Sequence, residues 1–213
     1  MQSHATDPGV FIRSMATRGH LGGLALAAPE AIRVLDASGR DLVIVETVGV
    51  GQVEVDVAKA ADTTLVVVNP GWGDSIQVAK AGILEIADIF VVNKADRDGA
   101  DRAVRDLETM IGMSPSGEWR APVVATSAVK QEGVGALFDA IERHRTHLES
   151  AGELALRQRD RLVAEVEEMV SQSLRGTARA VMGESPDLAA ALQERRIDPY
   201  AAAASIIKRV QGA

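Results

Sequence analysis

Four short apolar runs limit what this chain can fold into: LVIVET at 42–47, TLVVVN at 64–69, IFVVN at 89–93 and PVVATS at 122–127. Each is rich in β-branched residues, continuous rather than alternating, and closed by a polar residue. That is the pattern of a strand buried on both faces of a parallel sheet. Helical spacing occupies 75–86, 98–111 and 133–149 between and after them, and an earlier stretch at 25–37 ends on Ser38-Gly39 in the manner of a C-cap. Strand and helix alternate, so the expected fold is α/β with a mostly parallel, doubly wound sheet and ligands at the carboxyl ends of its strands. The polar terminators Glu46, Thr47, Asn69, Asn93 and Ser127 then gather along one edge.

Past Gly152 the strands stop and two or three helices follow. Leu162, Val166, Met169 and Val170 fall on one stripe, and Asp198-Pro199 reads as an N-cap followed by the first residue of a helix. We therefore expect an α/β domain over 1–150 and a helical arm over 151–213. Acidic residues outnumber basic ones, 30 to 23, and aromatics are only 3%, which argues against a nucleic-acid partner. The absence of cysteine excludes disulfides and thiolate chemistry and suits a reducing compartment, the cytoplasm. The first twenty residues lack a signal-peptide pattern, and no apolar run approaches the ~20 residues of a membrane span.

The chemistry concentrates at Asn93-Lys94-Ala95-Asp96. A carboxylate at Asp96 can accept from the N1–H and 2-amino group of guanine, Asn93 can bond N7 or the surrounding loop, and the Lys94 stem can lie along the base. Adenine lacks that donor pair and would leave the carboxylate unsatisfied. The bland alternative is a surface turn capping the next helix. Ser127-Ala128-Val129, after the following strand, offers a backbone N–H for guanine O6; by itself Ser127 would be a helix-cap serine.

Glu46 closes the first run with Gly49 three residues on: a carboxylate suited to a Mg²⁺-bound water, and a position where a backbone N–H can approach a terminal phosphate. Asp7, before Pro8-Gly9, is a second candidate for magnesium or water, although such a carboxylate more often just starts a turn. The stretch 69–82 opens as a Gly-rich loop and passes into the helix that carries Gln77 and Lys80, either a phosphate-sensing switch or a plain connection. His144 and His147 stand three apart near a helix C-terminus, where a cation is favourable; two histidines without a third ligand beside them do not make a metal site, and none is expected here.

DPGVFIRSMATRGHLGGLA, VIVETVGVGQ, GILEIADIFVVNKAD and SAVKQEGV together resemble the methylmalonyl-CoA mutase-associated GTPases, the MeaB/ArgK group of the SIMIBI class of P-loop GTPases, and RRIDPYAAAASII resembles that group's C-terminal arm. The resemblance implies a Mg²⁺-dependent GTPase, binding GTP and GDP, that serves an adenosylcobalamin-dependent acyl-CoA mutase as a chaperone, gating cofactor loading and protecting the mutase. It also implies a homodimer built through the C-terminal helices. It assigns guanine recognition to Asn93, Lys94 and Asp96, with Ser127, Ala128 and Val129 closing over the base. Glu46 becomes the Walker B carboxylate, Gly49 the γ-phosphate contact, Asp7 part of switch I near magnesium, and Gln77 and Lys80 part of a third switch facing the mutase.

The group also carries a Gly-Lys-Ser/Thr phosphate loop and its strand, upstream of anything in this chain. Every lysine here (Lys59, Lys80, Lys94, Lys130 and Lys208) follows a residue other than glycine. Met1 thus reads as an internal methionine. The phosphate-loop strand belongs between 42–47 and 64–69, so those two must pair directly or leave a gap, and residues 1–213 alone are expected to hydrolyse no GTP. Two other readings stay open: a non-catalytic, dimerising interaction module, and an ATPase or kinase serving amino-acid transport, against which Asp96 speaks.

Overall fold

The computed structural model describes residues 6–15, 27–47, 58, 60–71, 84–113 and 118–211. Within them run α1 (Ala28–Ala37), β1 (Leu65–Val68), β2 (Ile89–Val92), α2 (Ala100–Met113), β3 (Val123–Ala125), α3 (Val134–Ser150), α4 (Glu153–Gly183), α5 (Pro186–Gln193) and α6 (Pro199–Gln211). Residues 1–158 form one compact unit and 159–213 a second, the boundary falling inside α4.

In the first unit the strands lie in the order β1-β2-β3, all parallel. Leu65 pairs with Ile89, and Phe90 with Val123. Side chains of a strand alternate between faces, and β2 uses both. Phe90 and Val92 pack with Val68 against Ala100, Ala103 and Leu107 of α2, while Ile89 and Val91 pack against Ala140 of α3. The expected doubly wound α/β arrangement is therefore present, with one helix on each side of β2.

Among the described strands, burial on both faces holds for β2 alone. Val67 of β1 is 57% exposed, and Ala125 of β3 is exposed as well. The run at 42–47 is a correction to the expectation of a fourth strand, because it joins no ladder, and Leu42 and Ile44 are exposed. A continuous apolar run becomes a buried strand only when a neighbour satisfies its backbone and both faces are covered. Among the described residues neither condition is met, so of the two sheet arrangements considered, direct pairing of 42–47 with β1 is not found. The helix expected at 75–86 falls mostly outside the described residues, with a helical turn at 84–86.

α1 ends as its sequence indicates. Ser38 is the C-cap, and Gly39 follows at φ 79° with its N–H donated to the Asp36 carbonyl.

In the second unit, Leu188 and Ala191 of α5 and Ala202 of α6 are buried, and α6 starts as read: Asp198 Oδ1 accepts from the Ala201 N–H at 2.7 Å. Along α4, Leu162, Val163, Val166, Met169, Val170 and Leu174 are each more than half exposed. Among the described residues no helix is long and apolar enough to cross a membrane.

Candidate nucleotide site

The sheet hydrogen bonding continues one residue beyond both β2 and β3, and this brings two loops together. Asn93 N–H donates to the Val68 carbonyl at 2.8 Å, and Thr126 N–H to the Val92 carbonyl at 2.9 Å. The chain then turns sharply. Lys94 takes the left-handed conformation at φ 58°, which a non-glycine residue adopts at a cost of about 1 kcal/mol and which concentrates at functional sites. Two backbone bonds hold it: Ala95 N–H to the Thr126 carbonyl and Arg97 N–H to the Lys94 carbonyl, both 2.9 Å.

The second loop is equally fixed. Ser127 and Glu132 exchange backbone bonds of 3.0 and 3.2 Å, pinching residues 128–131 into a closed loop. Gly133 follows at φ 73°, and a Cβ there would stand 2.1 Å from the Ala125 carbonyl oxygen, so no larger residue fits without moving the end of β3.

Side chains lock the loops to each other. Buried Ser127 donates its hydroxyl to Asp96 Oδ1 at 2.6 Å, a short charge-assisted bond. Asn93 Oδ1 accepts a long bond of 3.3 Å from the Ala128 N–H and faces Thr126 Oγ1 at 3.4 Å. The Ser127 hydroxyl and then the Asp96 backbone N–H hold the Asp96 carboxyl below its ordinary range; desolvation opposes them, and the charges of Lys130 and Arg97 add a lesser pull downward. Asp96 is thus an exposed, oriented anion at the edge of the sheet. Lys94 is half-buried, while Ala128 and Val129 are exposed.

The structure thus brings Asn93, Asp96, Ser127 and Ala128 into direct contact. Asp7 and Glu46 are not joined to them by any contact among the described residues. Asp7 Oδ1 accepts from the Gly9 N–H at 2.8 Å, a local turn that Arg40 holds through a 2.6 Å bond to the Gly9 carbonyl. Glu46 is exposed on the unpaired 42–47 segment. Gly49, Gln77 and Lys80 lie outside the described residues.

Sequence reasoning missed a cluster at the opposite end of the strands. Asp88, immediately before β2, accepts from the Thr64 N–H at 2.8 Å and from the Arg157 guanidinium at 3.2 Å, and lies 3.2 Å from Nε2 of fully buried His144. His144 Nδ1 meets Thr63 Oγ1 at 2.8 Å, and Trp119 Nε1 donates to the Asp88 carbonyl at 2.8 Å. Burial pushes the Asp88 carboxyl up, but the His144 contact, the Thr64 N–H and the Arg157 charge together outweigh it and leave the group below its ordinary value. The available sequence signal was an aspartate directly preceding the most buried strand.

Comparison with solved structures assigns this parallel α/β sheet to the fold of the P-loop GTPases. A solved structure of this fold, titled as a LAO/AO transport system kinase, superposes with a TM-score of 0.63 at 25% identity, covering 86% of this chain and 62% of that one. The chain belongs to the family described as methylmalonyl Co-A mutase-associated GTPase MeaB, whose profile matches residues 1–183. A protein of Pyrococcus abyssi named as a GTPase is 49% identical, over all of this chain and 67% of its own length. The Escherichia coli GTPase ArgK is 36% identical over 72% of this chain and 48% of its own. This chain therefore spans between about half and two thirds of the length of these relatives.

Proposed function

We propose that this chain carries the guanine-reading part of a MeaB-type GTPase that acts on methylmalonyl-CoA mutase or a related adenosylcobalamin-dependent acyl-CoA mutase, gating loading of the cofactor and protecting the enzyme in the cytoplasm. The observation that carries the reading is the Asp96–Ser127 and Asn93–Ala128 lock at the carboxyl ends of β2 and β3. Asp96, oriented and anionic, has the acceptor geometry for the N1–H and 2-amino edge of guanine. The Ala128 N–H is spent only on a long bond, which guanine O6 can replace, and the Lys94 stem lies along the base. Val129 closes the rim.

Mg²⁺ would be held by oxygen donors, which Glu46 and Asp7 supply, and would neutralise phosphate charge. Gly49 would approach the γ-phosphate, while Gln77 and Lys80 would report the nucleotide state to the mutase. Residues 1–213 contain no Gly-Lys-Ser/Thr sequence, and phosphoryl transfer depends chiefly on positioning and charge stabilisation by such a loop. The polypeptide of residues 1–213 should accordingly bind GDP more weakly than micromolar and turn over no GTP. At millimolar concentration GDP, but not ADP, should shift the backbone amide resonances of Asn93, Asp96 and Ala128, and Asp96→Ala should weaken that response by about 10- to 100-fold, as expected for a bond to a charged acceptor. Equal responses to GDP and ADP would refute guanine recognition, and micromolar GDP binding would refute the weak-binding expectation.

The apolar stripe of α4 supports a homodimer through the helical arm, since six adjacent exposed apolar side chains on one helix favour burial against a second copy. Light scattering of the eluted protein should give twice the chain mass, and Val166→Asp combined with Val170→Asp should return it to the monomer. A monomeric unmodified protein would overturn this.

A further inference from the structure

The fold sets two carboxylates beside His147, one from the start of α4 and one from the segment before β3. One nitrogen of its ring and one carboxylate oxygen each from Glu118 and Glu153 lie within 4.8 Å of one another. Glu118 precedes β3, His147 sits in the last turn of α3, and Glu153 opens α4. We propose that this triad is a binding site for a divalent transition cation such as zinc, separate from the nucleotide residues and independent of the function proposed for them.

Three observations support it. First, His147 Nε2 is buried and has no hydrogen-bond partner among the described residues, an uncommon state for a polar atom. Second, neither Glu118 nor Glu153 has an ion-pair partner there. The start of α4 accounts for one carboxylate through the helix dipole, but not for two beside an imidazole. Third, Trp119 lies against the ring with centroids 5.2 Å apart, which limits how the imidazole can turn.

One imidazole and two carboxylates form a donor set for zinc and its neighbours, with a water completing four-coordination, and their two negative charges balance the dication. Ligands bound at about 2.0–2.2 Å stand roughly 3.3 Å apart in a tetrahedral site. Rotation of the exposed Glu118 side chain and the half-buried Glu153 side chain toward His147 closes the set. The bound ion would tie the 118–120 segment to the α3–α4 corner.

The test is a titration of the full chain with zinc chloride in excess magnesium, read by calorimetry and by thermal unfolding, with cobalt(II) absorbance and Trp119 fluorescence as local reports. We expect one saturable site, a Tm raised by the ion, and about a tenfold or greater loss of affinity in both His147→Ala and Glu118→Gln. Glu118 is exposed, so the second variant keeps the fold, which far-UV circular dichroism verifies. Absence of saturable binding, unchanged affinity in both variants, or displacement by magnesium alone would overturn the proposal.

Discussion

Asp88→Ala should destabilise the first unit by about 2–4 kcal/mol: it removes a buried acceptor shared by several groups, while the Arg157 side chain, 38% exposed, keeps part of its charge screened by water. The substitution leaves the Arg157 guanidinium and the Thr64 N–H without their common acceptor and removes the carboxylate that lies 3.2 Å from His144 Nε2. These groups join the amino end of β2 to the segment before β1, to α3 and to α4, so the loss is felt across the unit. Urea unfolding at neutral pH measures it, and a midpoint equal to that of the unmodified protein would refute the role. The pH dependence follows from the sign of the shift. The folded carboxyl lies below its ordinary value of 3.8, so its contribution is present above that value and drains away as pH falls through the lower folded one. The stability gap between the two proteins should therefore be full near neutrality and narrow below about pH 4.

Gly133→Ala is expected to cost about 3 kcal/mol or more, although it adds one methyl group. The new Cβ would stand 2.1 Å from the Ala125 carbonyl oxygen and 3.1 Å from the Thr126 Cα, both backbone, and would also require alanine at φ 73°. Strain of that kind is relieved only by moving the chain. What moves is the stretch that carries Thr126 and Ser127, so the Ser127–Asp96 bond should loosen together with stability. A urea midpoint combined with the amide resonances of Asp96 and Ala128 reads both effects. Gly135→Ala, where a Cβ meets open space in a helix, should be neutral or slightly stabilising.

Much of the site was legible because its residues sit where a strand ends. A polar residue closing a buried apolar run must emerge at the sheet edge, and two such runs adjacent in a parallel sheet must bring their terminators together. That reasoning placed Asn93 beside the Ser127 loop without coordinates. It failed for Glu46, because an apolar run states a preference for burial and not the availability of a neighbour to bury it. It also failed for Asp88, whose partners Thr64, Arg157 and Trp119 lie 24, 69 and 31 positions away. No local pattern links such groups; only the closeness of strand and helix ends in space does.

The sequence by itself determined the alternation of strand and helix, the caps of α1 and α6, the apolar stripe of α4 and the Asn93–Asp96 motif, because each rests on spacing or local backbone chemistry within one segment. Tertiary structure decided that 42–47 joins no described strand, that His144 serves the Asp88 cluster while His147 lies within 4.8 Å of Glu118 and Glu153, and that Ser127 fixes the Asp96 carboxylate. Those outcomes depend on which chain ends converge, and convergence is set by the packing of α2 and α3 on opposite faces of β2.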